Sequence, residues 1–204
     1  MAYHQLDLGR ANRGRWLKVY YFIRAAFSVT WVGAAFAVGP SSPMIAGALL
    51  VLYPAWDAAA NFLDAFRSGG LAQNRTQALN VVVSLATTVA VLVTLQMSMN
   101  QLLGVFGAWA ILSGLLQLGT AIRRWRSFGA QWAMVLSGAQ SALAGGFFIV
   151  QATMPAVPSI ANVAGYAAVG ALYFLVSAVW LTVSAWRQRA KRARSGCCDG
   201  LAGS

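Results

Sequence analysis

The sequence contains one long apolar pattern that occurs three times and ends each time in arginine. The runs 53–67, 109–123 and 173–187 each open with an aromatic residue and close with an arginine, and each extends a preceding apolar segment. Long apolar runs without an alternating polar face predict membrane-spanning helices rather than the strands of a barrel. The pattern therefore predicts a helical hairpin that is repeated three times.

The composition supports a chain that lies almost wholly in a bilayer. Of the 204 residues, 59% are hydrophobic and 9% are charged, whereas soluble proteins carry about 25% charged residues. We predict an all-α membrane protein with a six-helix transmembrane domain over 18–187, preceded by a mobile basic lead-in over 1–17 and followed by a basic, disordered tail over 188–204. The six helices are predicted at about 18–38, 44–66, 78–95, 102–122, 129–151 and 160–186.

The basic residues predict the orientation of the chain. All fifteen except Arg24 lie in or beside the lead-in, the second loop, the fourth loop and the tail, while the first, third and fifth loops carry none. Because positive residues stay on the cytosolic side, both termini are expected to be cytosolic. The net charge of +11 then indicates contact with anionic lipid headgroups at the basic loops and tail, and not with nucleic acid.

The reactive residue types are too few and too badly placed for most catalytic sites. The single histidine, His4, lies in the lead-in, and the two cysteines, Cys197 and Cys198, are adjacent in the tail. This set does not supply four ligands for zinc or a Ser–His pair, and the chain has no glycine-rich phosphate loop. We therefore predict no catalytic residue, no cofactor, no metal and no enzymatic activity.

Helix 5 carries two ladders of small residues. They are Ser137, Ser141 and Gly145 and, one position further along, Gly138, Ala142 and Gly146. Small residues let helix backbones approach closely in a bilayer. We expect helix 5 to be central, with close neighbours at Gly107 and Gly114 of helix 4 and at Gly33 of helix 1. Association of two copies through these faces, to give a homo-oligomer, is the alternative.

Helix 2 differs from its repeats because it carries acidic residues. Asp57, Asn61 and Asp64 share one helical face. Asp57 lies roughly 15 Å from the closing arginine at 1.5 Å per residue, and an ionised Asp at the middle of a bilayer costs about 2.5–3.5 kcal/mol on insertion scales. This face is therefore expected to point into the bundle and to find polar partners there.

Four further polar residues lie at similar depths on other helices. They are Arg24, Asn80, Gln117 and Gln140. In one interpretation they line a cytosol-facing polar cavity, in which Asp57 binds a proton or a substrate and Arg24 is its counter-charge. In the other they form a structural network between helices, closed by an Arg24–Asp64 pair.

The chain resembles a known family in its repeats and turns. The small residues Ala58, Gly114 and Ala178 in the middle of the repeats, the closing arginines and the turns Gly39-Pro40 and Met154-Pro155 resemble the HdeD-like acid-resistance membrane proteins, which are also grouped as the short-repeat domain of unknown function 308. The similarity covers about residues 18–187. The resemblance implies a multi-pass protein of the bacterial inner membrane and, for some members, a role in acid-stress tolerance.

Three functional hypotheses follow. The first is a non-enzymatic membrane protein that contributes to acid or envelope stress tolerance. The second is a small transporter or channel with a polar path around Asp57. The third is a scaffold that recruits a partner through its basic tail.

Overall fold

The chain forms six long helices joined by short loops. The computed structural model describes residues 2–125 and 131–201, with side chains from 15 to 187 apart from 124, 126–131 and 133. The helices are α1 (Ala2–Ala37), α2 (Pro43–Arg67), α3 (Arg75–Thr94), α4 (Met99–Arg124), α5 (Gln131–Ala152) and α6 (Ile160–Leu201), and a short 3-10 helix (Gly39–Ser41) follows α1. Within the described residues, six helices are long and apolar enough to cross a membrane, which confirms the predicted fold class at that level.

The two outer helices extend further than the sequence predicted. The backbone is helical from Ala2 and as far as Leu201, where a mobile lead-in over 1–17 and a disordered tail over 188–204 were expected. Alanine, arginine, lysine and leucine favour helix, and a span that is already helical removes the cost of nucleation. The basic side chains before 15 and after 187 were expected to meet lipid headgroups, and they lie outside the described side chains. Residues 129 and 130 of predicted helix 5 also lie outside the described residues.

Turn residues set the boundaries between the helices. Ser42 and Ser98 precede α2 and α4, and their hydroxyl groups accept hydrogen bonds from the backbone N–H of Ile45 and Gln101 at 3.4 and 3.2 Å. Gly69 has a φ of 106° in the loop between α2 and α3, a conformation that glycine adopts without strain. These capping and turn residues end and begin the helices within short loops. Consecutive helices therefore run in opposite directions.

The described helices form a closed ring. The most extensive packing is between α4 and α5, followed by α1 with α6, α2 with α3 and α3 with α4, while α5 with α6 and α1 with α2 touch less. α5 is therefore one member of the ring, and the expectation of a central helix 5 is wrong. The interpretation of the chain as three repeated hairpins stays a prediction, since the closest pairs are not those within the predicted hairpins.

The small residues of α4 and α5 bring these two backbones into contact. A Cβ atom placed on Gly145 would lie 2.5 Å from the backbone oxygen of Gly107, and one placed on Gly138 would lie 2.8 Å from that of Gly114. A Cβ atom on Gly146 or on Gly33 would meet nothing within 4 Å. The sequence thus identified the close face of α4 and α5 correctly, while Gly33 of α1 takes no part in such a contact.

The two ends of the bundle differ in polarity. We call the end that holds the α2–α3 and α4–α5 loops the basic end, and the end that holds the other three loops the uncharged end. The larger apolar core lies in the half beside the uncharged end, and its fully buried large members are Leu50, Val91, Leu102, Leu103, Phe106 and Val163. Asn100 ties this end together by donating to the carbonyl oxygen of Met154 at 3.0 Å.

Candidate functional site

A polar cavity occupies the half of the bundle beside the basic end. It is partly enclosed, has a volume of about 70 Å³ and is lined by residues from all six helices. Tyr53, Trp109 and Tyr166 also pack against the larger apolar core, and they form what we call the aromatic floor. The cavity therefore begins near Asp64 and Gln77 at the basic end and stops at the aromatic floor.

Arg24 and Asp57 form an ion pair beside this cavity. The Arg24 Nη2 atom donates to the Asp57 Oδ1 atom, and the two side chains are 14% and 9% exposed. The pair joins α1 to α2 at the depth expected for Asp57. It identifies Asp57 as the partner of Arg24, so the alternative of an Arg24–Asp64 pair is wrong.

The second oxygen of Asp57 accepts hydrogen bonds from three further side chains. Asn61, Asn80 and Ser84 donate to Asp57 Oδ2 at 3.1, 3.0 and 2.9 Å, and the indole N–H of Trp109 donates to the Ser84 hydroxyl oxygen at 3.0 Å. A buried carboxylate is tolerated when its charge is paired and its oxygens are hydrogen-bonded. Asp57 thus connects α1, α2 and α3 directly and α4 through Ser84.

Aromatic rings enclose the other side of the Arg24 guanidinium group. Its central carbon lies 4.4 Å from the ring centre of Phe174 and 5.7 Å from that of Tyr20, distances at which cation–π attraction operates. Arg24 Nη1 also donates to the Tyr20 hydroxyl oxygen at 2.9 Å. Asp57, Tyr20 and Phe174 together form what we call the guanidinium cage.

A second polar cluster lies nearer the basic end. Gln77 Nε2 donates to Asp64 Oδ2 at 3.3 Å, and Gln77 Oε1 accepts from Arg123 Nη2 at 2.7 Å. Asp64 Oδ1 also accepts from the indole N–H of Trp16 at 3.4 Å. Asp64 is therefore held among α1, α2 and α3, about two helical turns from Asp57.

Six of the seven residues predicted for the cavity line it, and one does not. Arg24, Asp57, Asn61, Asp64, Asn80 and Gln117 all contribute to its wall. Gln140 does not, because α5 presents Ser137 and Ser141 to the cavity and the residue before Ser141 points about 100° away around the helix. The Gln140 Oε1 atom is instead buried without a hydrogen-bond partner in the described part of the chain.

One protein-family model matches part of the chain. Residues 80–150 match the family model described as a short repeat of unknown function. This stretch is similar to the DUF308 short repeat. That repeat is the domain found in HdeD-like membrane proteins, and the resemblance inferred from the sequence is confirmed over this stretch. Comparisons with curated proteins and with solved structures found no match.

The stretch that matches DUF308 supplies one wall of the cavity but not its charges. Asn80, Ser84 and Trp109, which complete the hydrogen bonds of Asp57, lie inside the matched stretch, whereas Arg24 and Asp57 precede it. The glycine contacts between α4 and α5 lie within the matched stretch. The ion pair belongs to α1 and α2, outside that stretch.

The chemistry of the site is that of binding and of charge pairing. In the described residues, no cluster of three or more His, Cys, Asp and Glu side chains could hold a metal ion.

The sequence did not identify Gln77, Ser84 or Phe174 as site residues. Gln77, Asn80 and Ser84 share one face of α3, the same spacing that singled out the acidic face of helix 2, and that signal could have found them.

Proposed function

We propose that this chain is a non-enzymatic multi-pass protein of the bacterial inner membrane that contributes to acid or envelope stress tolerance. The DUF308 short repeat over 80–150, which occurs in HdeD-like membrane proteins, supports this proposal. In the proposed orientation the basic end and both termini face the cytosol, because positive residues stay on that side. Anionic headgroups then surround the basic loops.

The observation that carries the proposal is the closed half of the bundle beyond the aromatic floor. The buried core over α1 to α6 contains Val91, Phe106 and Val163 at 0–1% exposure, and an apolar core of this kind holds neither water nor ions without cost. A closed bundle suits a protein that supports the envelope without conducting protons. The Arg24–Asp57 pair would then hold α1, α2 and α3 in the closed arrangement.

The experiment is acid survival of a strain that lacks the gene. We expect the wild-type gene to restore survival at low pH and the Arg24→Met variant to restore it poorly, because an unpaired Asp57 weakens the closed bundle. Arg67→Met is the matched control, since Arg67 is exposed and stacks on Trp16 at 4.8 Å. Immunoblots of the membrane fraction give the amount of each variant. If the deletion does not affect survival, the proposal is wrong.

A small transporter or channel is the second candidate, and the cavity is the observation that favours it. A polar cavity near mid-depth that extends toward one end of the bundle and is bounded by aromatic side chains toward the other resembles a carrier in one of its two access states. This function requires the aromatic floor to open. Flux measured across liposomes that contain the purified protein distinguishes the candidates, because a closed stress protein gives no flux above empty liposomes.

A further inference from the structure

The guanidinium cage has the chemistry of a receptor for one kind of ion. Its carboxylate binds one guanidinium nitrogen, the Tyr20 hydroxyl binds another, and the ring of Phe174 lies 4.4 Å from the central carbon. A planar group with several N–H donors in a fixed fork fits all three contacts, whereas an ammonium ion is a compact and strongly hydrated charge. The shape of the cage as well as its charge therefore favours a guanidinium-type cation.

The cage is also next to open space. Tyr20, Asp57 and Phe174 all line the cavity, whose volume is about 70 Å³. A small cation in the cavity would lie beside the group that occupies the cage. Arg24 itself has a long flexible stem, and such side chains turn along their helix toward a polar interface, which here is the basic end.

We propose that the guanidinium cage is a binding site for small guanidinium-type cations, which Arg24 fills at rest and from which a cation entering through the cavity displaces it. The displaced Arg24 side chain turns toward the basic end, and the incoming cation takes over the charge of Asp57. Leaving Asp57 buried without a cation is strongly unfavourable, so exchange of one cation for another is favoured over simple loss of Arg24. This inference stands apart from the stress role, because it concerns binding to the purified protein.

The test is binding of radiolabelled guanidinium to the purified full-length chain in detergent, at constant ionic strength. Arg24→Ala empties the cage, and we expect it to bind guanidinium about tenfold or more tightly than the wild type, a change of about 1.4 kcal/mol. The double variant Arg24→Ala/Asp57→Asn is expected to lose this gain. Arg67→Ala, which removes an arginine stacked on Trp16 outside the cage, is expected to bind as the wild type does.

Two results would overturn the proposal. One is an Arg24→Ala protein that binds guanidinium no more tightly than the wild type. The other is a double variant that keeps the gain, since binding would then not use Asp57. If Arg24→Ala does not fold alone, we expect purification in millimolar guanidinium to recover a folded protein. Sodium at equal ionic strength should not recover it. Failure of guanidinium to restore folding would also overturn the proposal.

Discussion

Arg24 of α1 is paired with Asp57 of α2 inside the bundle, although the two residues lie 33 positions apart in the sequence. The pair is surrounded by Asn61, Asn80 and Ser84, which donate to the carboxylate. Removal of one charge therefore leaves the other buried without an ion-pair partner among the described side chains. The stability of the bundle should depend on both residues together more than on either alone.

We expect Arg24→Met to lower the free energy of unfolding by about 3–5 kcal/mol, because it leaves a buried carboxylate unpaired. The double variant Arg24→Met/Asp57→Leu should cost less than the sum of the single changes, because it removes both charges. Unfolding in mixed micelles measures these differences. Strict additivity would contradict a coupled pair, and Arg67→Met, at an exposed site, should change stability by less than about 1 kcal/mol.

Two neighbouring glycines of α5 provide a matched test of the α4–α5 contact. Gly145→Ala places a methyl group against the backbone oxygen of Gly107 and should destabilise the protein by about 1–3 kcal/mol. Gly146→Ala places it in open space and should be neutral or stabilise by up to about 1 kcal/mol, because alanine favours helix. Thermal unfolding of the two purified variants gives the comparison. Equal effects would mean that the backbones are not in contact at Gly145.

Gln77 should be a stabilising residue at the basic end. Gln77→Leu removes the hydrogen bond that Gln77 donates to Asp64 and those that it accepts from Arg123 and Thr76. It should cost about 1–3 kcal/mol, because hydrogen bonds to charged groups are among the stronger ones. Gln73→Leu, at an exposed position in the preceding loop, serves as the control and should change little. The unfolding midpoint in denaturant reports both values, and a Gln77→Leu midpoint equal to that of the control would exclude this role.

The orientation can be measured with the two native cysteines. We expect a membrane-impermeant maleimide not to label Cys197 and Cys198 in intact cells and to label them after the membrane is opened, because the tail is predicted to be cytosolic. Val157→Cys, in the exposed α5–α6 loop, in a chain with Cys197→Ser and Cys198→Ser, should show the opposite pattern. Labelling of the tail in intact cells would reverse the proposed topology.

The sequence was informative where one residue type carries a large energetic penalty. Charged or proline-containing loops marked four of the five turns between the six spans, because charges and unsatisfied backbone groups are costly in hydrocarbon. For the same reason Asp57 and Arg24 could be placed inside the bundle. The small residues of helices 4 and 5 identified their contact, since close packing in a bilayer needs them.

Other features depend on how the helices rotate and which of them meet, and a local pattern does not contain that information. Gln140 was assigned to the cavity by its depth, but its direction around α5 turns it away. Gln77 was missed because predicted helix 3 began at 78, whereas α3 begins at Arg75. The pairing of α1 with α6, which brings Phe174 to Arg24, joins opposite ends of the chain and has no signature in either helix.

The glycine contacts between α4 and α5 also limit how the protein could change shape. Two backbones that touch at Gly107 and Gly145, and again at Gly114 and Gly138, cannot slide or tilt past each other without a steric clash, so they behave as one rigid body. Any rearrangement that uncovers Asp57 from the opposite side would have to occur at the looser seams, between α5 and α6 or between α1 and α2. The hinge of this molecule is therefore expected where its helices touch least.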